Sequence, residues 1–354
     1  MVGGISLRPR RHTYTQDRLC GAPVGESTEA VRAGRKAQAK AQPVSRWRNE
    51  AHNLTRRVQF PQTGMAGPLP TRHQTVLTVH ALSQTDVLIE GPETLYEWRE
   101  ANRMAWPGRK YIQAYRRKKW DGTWAPGKWC RMNGDDHFQM QCSRGLLTRI
   151  SAALCPDAPL VVTTLPNATE IASARAFGRA HPRWSQLHDY QQQAFDLAAA
   201  SGWGRIALAT NAGKGAVIAL LATWAASHGI GALICCDEIA TYDALLGELW
   251  TWGGIRPGLI RASEAERGCG RVTLAMVPSL ARHLDIERGD PAGWEPWLVQ
   301  QRMLLLDEAD KATAPTWRRI CDAVRESQWR IGFSGSFPEA LTFDDWQLET
   351  LMGP

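Results

Sequence analysis

No apolar run in the 354 residues is long enough to cross a membrane: the longest, Ala216–Ala226, falls well short of the ~18 residues a spanning helix needs. The N-terminus carries charge but lacks the apolar core of a secretory signal. Cysteine numbers only eight, with no C-x-x-C pair and no histidine at metal-ligand spacing. Zinc-finger and disulfide-scaffold classes are therefore excluded, and a reduced cytosolic setting is expected. Excess acid is also missing. Residues 1–64 hold twelve Lys/Arg against four Asp/Glu, so the overall +7 is a property of the leader and the remaining chain is close to neutral.

The leader, residues 1–74, is rich in Arg, Ala, Gln, Pro and Gly without a sustained apolar period, and reads as disordered. It is either a solvated tail or an arm that tethers DNA nonspecifically. Patterning begins near Thr75. Strands are expected at Thr75–His80 and Asp86–Glu90, and a helix over Glu93–Ala105 that stops at Pro107-Gly108. A hairpin is expected across Asn133-Gly134-Asp135-Asp136, then a helix over Gly145–Ala153 and a strand at Leu160–Thr163. This predicts a small α+β module over 75–165. Within it, residues 97–150 carry twelve cations and five acids, interleaved with Trp106, Trp120, Trp124 and Trp129. Such a surface suits phosphate neutralisation, and Arg116, Arg117, Lys118 and Lys119 are the candidate nucleic-acid contacts. The tryptophans are read mainly as core. Residues 166–186, irregular from Ile171 to Gln186, read as a linker.

From Asp189 the texture is α/β. Short apolar strands at Ala232–Cys236, Leu259–Ala262, Val272–Met276, Met303–Leu306 and Ile331–Phe333 alternate with helices, which predicts a mainly parallel sheet covered on both faces over 187–354. Ligands of such sheets sit at the carboxyl ends of the strands. At one such end Leu208-Ala209-Thr210-Asn211-Ala212-Gly213-Lys214-Gly215 runs from a strand into a long apolar helix. That layout points backbone N–H groups at a polyphosphate and lets Lys214 reach its outer phosphates. It departs from the usual loop in having Leu208 where a glycine opens the pattern and Gly215 where a Ser/Thr hydroxyl would hold magnesium. At another strand end stand Asp307 and Glu308, the first suited to a nucleotide's magnesium and the second to orienting a water.

The order of Tyr190-Gln191, the Leu208–Gly215 loop, Asp307-Glu308-Ala309-Asp310 and Ser334-Gly335-Ser336 resembles the Q motif and motifs I, II and III of superfamily 2 helicases. The phage UvsW-type branch-migrating DNA helicases are the most similar group. Their small N-terminal domain contains a segment like Pro107-Gly108-Arg109-Lys110-Tyr111, Ala114-Tyr115 and Trp120-Asp121-Gly122. The resemblance implies a RecA-like P-loop NTPase domain after a small α+β DNA-binding domain, with ATP and Mg2+ as cofactors, DNA as partner and a phage-infected bacterial cytoplasm as the setting. It implies that Gln191 bonds the adenine edge with Tyr190 nearby, and that Thr210, Asn211, Ala212, Gly213, Lys214 and Gly215 cradle the phosphates. Asp307 would hold the metal, and Glu308 the hydrolytic water. Ser334, Gly335 and Ser336 would couple nucleotide state to DNA, and Ser279 would touch the DNA backbone. Asp237-Glu238 departs from the family's motif Ia. The sequence ends at Leu351-Met352-Gly353-Pro354, near the end of the family's first motor domain, so a second RecA-like domain with its arginine finger is expected to be needed for full activity. These 354 residues alone are expected to turn ATP over slowly. Two other readings remain open: a DNA-binding module whose ATPase has decayed, and a DEAD-box-like RNA helicase.

Overall fold

Alternating buried and half-buried residues form strands β1 (Thr78–Ala81) and β2 (Asp86–Gly91), paired antiparallel with Val79 opposite Ile89. Helix α1 (Glu93–Ala101) follows, ending at Asn102 because Met104–Ala105 pairs with Thr123–Trp124 and pulls the chain out of the helix expected to reach Ala105. Strands β3 (Lys128–Arg131) and β4 (Phe138–Ser143) complete an antiparallel sheet in the order β1-β2-β4-β3. Helix α2 (Leu147–Leu154) closes it, and Val87, Ile89, Leu95, Met140 and Ile150 form its core. The computed structural model describes residues 77–131, 138–156, 168–268, 271–287 and 289–354. The leader, the turn at 133–136 and the strand expected at 160–163 lie outside the described residues.

The stretch expected to be irregular is not. Helix α3 spans Ala168–Ala180, and only residues 181–188 connect it, through a 3-10 turn at Trp184–Gln186, to α4 (Asp189–Ser201). Ala174 is fully buried in the same core as Phe195 of α4, so packing rather than a strong apolar period holds this helix.

The large sheet follows: β5 (Trp203–Ala207), α5 (Lys214–Ser227), β6 (Ala232–Cys236), α6 (Ile239–Gly253), β7 (Gly258–Arg261), β8 (Glu264–Ala265), β9 (Val272–Met276), α7 (Val277–His283), α8 (Pro291–Val299), β10 (Met303–Asp307), α9 (Pro315–Ala323), β11 (Trp329–Ser334) and α10 (Phe343–Met352). The strand order is β8-β7-β9-β6-β10-β11-β5, parallel except for the β7–β8 hairpin. Every residue of β6, β9, β10 and β11 is buried, as helices on both faces require. Side chains alternate between two cores, Ile234, Leu305 and Ile331 on one face and Leu233, Leu304 and Leu306 on the other. Each such leucine contributes about 1.5–3 kcal/mol on burial.

Helix α10 joins the small sheet to the large sheet. Its Trp346 enters the small-sheet core, while Leu348, Leu351 and Met352 enter a core of the large sheet. Buried Asp345 accepts hydrogen bonds from Arg149 of α2 at 2.6 Å and Arg205 of β5 at 2.7 Å. Arg149 also pairs with Glu349, and Ser143 donates to the Thr350 carbonyl. Trp106 and Trp124 pack edge to face on Phe343, with ring centroids 5.1 and 5.8 Å away. Three of the four tryptophans flagged in the sequence, Trp106, Trp120 and Trp124, are half-buried in this seam, and the side chain of Trp129 lies outside the described residues.

Candidate nucleotide site

Parallel register brings the key residues to one rim. Asp307 pairs with Phe333, and Ser334, the next residue of β11, pairs with Ala207, so the ends of β10, β11 and β5 lie side by side. After Ala207 the chain must leave the sheet and enter α5. Asn211 (φ 65) and Gly213 (φ 72) supply the left-handed turns that do this. At Gly213 the turn is crowded as well as left-handed: a Cβ there would strike the Gln191 amide. The backbone N–H groups of Asn211, Gly213, Lys214 and Gly215 have no acceptor among the described residues. Thr210 and Asn211 are exposed, and Ala212 and Gly213 are half-buried. Unaccepted donors at a helix N-terminus, open to solvent, form an anion cradle.

Lys214 is 9% exposed and its amine lies 2.6 Å from Glu308 Oε1 and 3.7 Å from Asp307 Oδ1. The lysine loop and both acids therefore converge. Burial pushes the Asp307 carboxyl above its ordinary range, the Lys214 amine pulls it back, and Glu308 adds to the rise. Glu308 sits in a left-handed conformation (φ 54), an uncommon one for a side chain of its size, which turns the chain straight from β10 into the 3-10 segment Ala309–Thr313. Ser334 donates to Asp310 Oδ1 at 2.8 Å, and Ser336 N–H donates to Ser334 Oγ at 3.1 Å. Gly335 packs against the Thr210 backbone, and Leu208 N–H donates to the Ser334 carbonyl at 2.9 Å. The Ser-Gly-Ser loop thus touches the lysine loop on one side and the acidic segment on the other.

Two residues expected to meet ligands are engaged within the protein. Gln191 is 6% exposed and its amide is engaged within the protein. Its Nε2 donates to the carbonyls of Ala212 at 2.9 Å and Gly213 at 3.3 Å, and its Oε1 accepts from His188 N–H. It braces the lysine loop from behind. Ser279 is 7% exposed and its Oγ accepts from Ala262 N–H at 3.0 Å, fixing the β7–β8 turn instead of facing solvent. Tyr190, by contrast, is 43% exposed, its ring stacked on His188 at 5.3 Å. Arg116, Arg117, Lys118 and Lys119 are all exposed on the small module.

Sequence reasoning missed the roles of His188 and Asp310. It also missed the pairing of Lys311 with Asp237 at 3.1 Å and Glu238 at 3.3 Å, which neutralises the acids that depart from motif Ia. The signal was available: Lys311 directly follows the Asp307–Asp310 motif. No group of three His, Cys, Asp or Glu among the described residues could hold a metal by itself. A divalent ion here would need phosphate oxygens beside Asp307, which is the chemistry of a metal that arrives with its nucleotide.

A mainly parallel sheet of this order, with a lysine loop after its edge strand and an acidic pair two strands away, has a RecA-like fold of the kind seen in a solved helicase structure. The particular likeness is to the UvsW helicase from bacteriophage T4, which matches at TM-score 0.62 and 16% identity over 78% of this chain and 97% of that one. A second structure of T4 UvsW matches at TM-score 0.59 and 16% identity, over 78% of this chain and 55% of that one. The chain has a UvsW-like fold, small module included. No protein-family profile matches the sequence, and no curated protein matches it. No helix among the described residues is long and apolar enough to cross a membrane.

Proposed function

We propose that this chain is the ATP-binding motor core of a superfamily 2 DNA helicase or translocase, with a DNA-binding module joined to it. The carrying observation is the convergence of Lys214 with Asp307 and Glu308 beside unaccepted N–H groups on one sheet rim. The cradle from Thr210 to Gly215 binds the phosphates, and Lys214 leaves Glu308 for the outer ones. Asp307 would hold Mg2+ together with the nucleotide, and the chemistry the ion would supply when bound is charge neutralisation in phosphoryl transfer. Glu308, freed from Lys214, orients the attacking water. Ser334 and Ser336 relay the change through Asp310, and Tyr190 with His188 offers a flat face for the base. Arg116, Arg117, Lys118 and Lys119 neutralise DNA phosphates.

Turnover by these residues alone is slow in this reading. An arginine finger from a second motor domain is worth ~10³ to 10⁵ in rate, and the described residues hold one such sheet. The test is magnesium-dependent ATP hydrolysis by the full chain with and without forked DNA. A DNA-stimulated rate is expected, and the same slow rate with and without DNA would remove the coupling. Replacing Arg116, Arg117, Lys118 and Lys119 together by alanine should weaken DNA binding and flatten its salt dependence, the log–log slope falling by about 0.9 for each DNA phosphate that is no longer neutralised.

Gly215 gives a gain-of-function prediction. Serine there supplies the missing magnesium-binding hydroxyl, and its Cβ would lie 3.1 Å from Cγ of half-buried Glu248, whose carboxylate accepts from Trp252 Nε1 at 2.8 Å, so that side chain must give by a few tenths of an ångström. Gly215→Ser is expected to lower the Mg2+ concentration needed for half-maximal ATP binding by several-fold, about 1 kcal/mol. An unchanged Mg2+ requirement would place the metal elsewhere.

A further inference from the structure

A cavity of about 720 Å3 opens where Trp106 and Pro107 of the small module face α9 and the start of α10. None of the residues assigned to the nucleotide site lines it. Trp106 and Phe343 form an aromatic wall. Gln347, 2% exposed, also lines the cavity; its Oε1 accepts from Arg318, and its Nε2 has no partner among the described residues. A buried amide donor without an acceptor costs about 1–3 kcal/mol, and since Nε2 has almost no accessible surface, a ligand acceptor relieves that cost only once the amide turns toward the cavity. The remaining polar lining sets Arg318, Arg319 and Arg325 against Glu295, Asp322 and Asp344, so the charges cancel. The cavity is therefore not an anion trap. It suits a flat, uncharged ring that carries hydrogen-bond acceptors, and its volume lies within the range of small-molecule sites, with room for a sugar as well as a base.

The chain beyond Pro107 supplies the complementary charge. Gly108 makes a left-handed turn (φ 68), and Lys110 then sits 5.2 Å from the ring of Tyr111, which is 75% exposed. Lys110 is three residues from the cavity lining, no more than about 11 Å of extended chain. Cations thus stand near a cavity whose lining charges balance and which has an aromatic wall. We propose that this cavity takes one unpaired base of a DNA strand whose phosphates lie on the basic surface outside it. The proposal rests on the DNA-binding reading above. Stacking on the aromatic wall is worth ~1–3 kcal/mol per base and is tolerant of sequence, as a strand-remodelling protein needs.

The test uses the full chain with a single-stranded oligonucleotide that carries fluorescein at one end and 2-aminopurine internally. Anisotropy reports binding, and 2-aminopurine quenching reports stacking. Wild-type protein is expected to raise the anisotropy and quench the base. Ala323→Phe, which fills the cavity, and Gln347→Leu, which removes the donor, should each keep the anisotropy change and lose most of the quenching, roughly fivefold. Thermal melts identify a variant that has not folded, and the other then decides. Unchanged quenching in the folded variants, with binding kept, overturns the proposal and leaves the DNA-binding reading standing. Quenching of free 2-aminopurine riboside but not of the oligonucleotide assigns the cavity to a nucleoside and overturns it too. No anisotropy rise with wild-type protein overturns both.

Discussion

Lys214→Ala is expected to weaken ATP binding by about 100-fold or more while leaving the fold in place. Charge-assisted hydrogen bonds contribute about 1.5–3 kcal/mol each, and two of them to the outer phosphates reach the ~2.8 kcal/mol that a 100-fold change requires. The structural cost is smaller. Glu308, whose side chain is 29% exposed, can turn to water once its partner is gone. Asp307, already raised by burial and held down by the Lys214 amine, would take up a proton rather than disrupt the sheet. Titration of a fluorescent ATP analogue, with a thermal melt as control, checks both parts. Unchanged affinity in a folded variant would mean that the amine does not serve phosphates.

Asp345→Ala should produce the largest loss of stability outside the cores. The carboxylate is 3% exposed and accepts from Arg149, Arg205 and the Leu341 N–H. Burial alone would raise its pKa, but these bonds hold it below the ordinary carboxylate range, which marks the charged form as stabilised. Removing it leaves two guanidinium groups at the seam without their shared acceptor. Breaking such a buried pair costs about 3–5 kcal/mol, or roughly 6–20 °C in melting temperature at this size. Asp345 also lies in the helix that follows the Ser-Gly-Ser loop, so DNA stimulation of ATP turnover should fall in the same variant. A melt within 1–2 °C of wild type would show that α10 does not join the sheets as described.

The motor fold was largely legible. Strands buried on both faces are continuous apolar runs, as Met303–Leu306 and Ala232–Cys236 show, and such runs can be read without knowing their neighbours. Elements held by tertiary contacts were not. Helix α3 is rich in small residues and depends on packing against α4, and the two-residue strand β8 is exposed and has no pattern of its own. The lysine loop and the acidic pair stand out in the sequence because few residue types suit phosphate and metal chemistry, and the structure brings them to one rim. The bonds that Gln191 and Ser279 make inside the protein were not legible for a shared reason: an amide or hydroxyl fits a ligand and a backbone carbonyl or N–H equally well, and the sequence alone does not show the packing. Exposure of Arg116–Lys119 followed from charge, since four consecutive cations cannot be buried unpaired.

The most direct measurement is ATP affinity with and without Mg2+ for the wild-type chain and Asp307→Asn, by isothermal titration. Asparagine keeps the size of the side chain and removes the charge that a magnesium–nucleotide complex would need. Wild-type protein should bind ATP more tightly with Mg2+, and Asp307→Asn should lose that difference while its melting temperature holds. Equal enhancement by Mg2+ in both proteins, or no ATP binding by either, would contradict a nucleotide held between Lys214 and the Asp307 strand end.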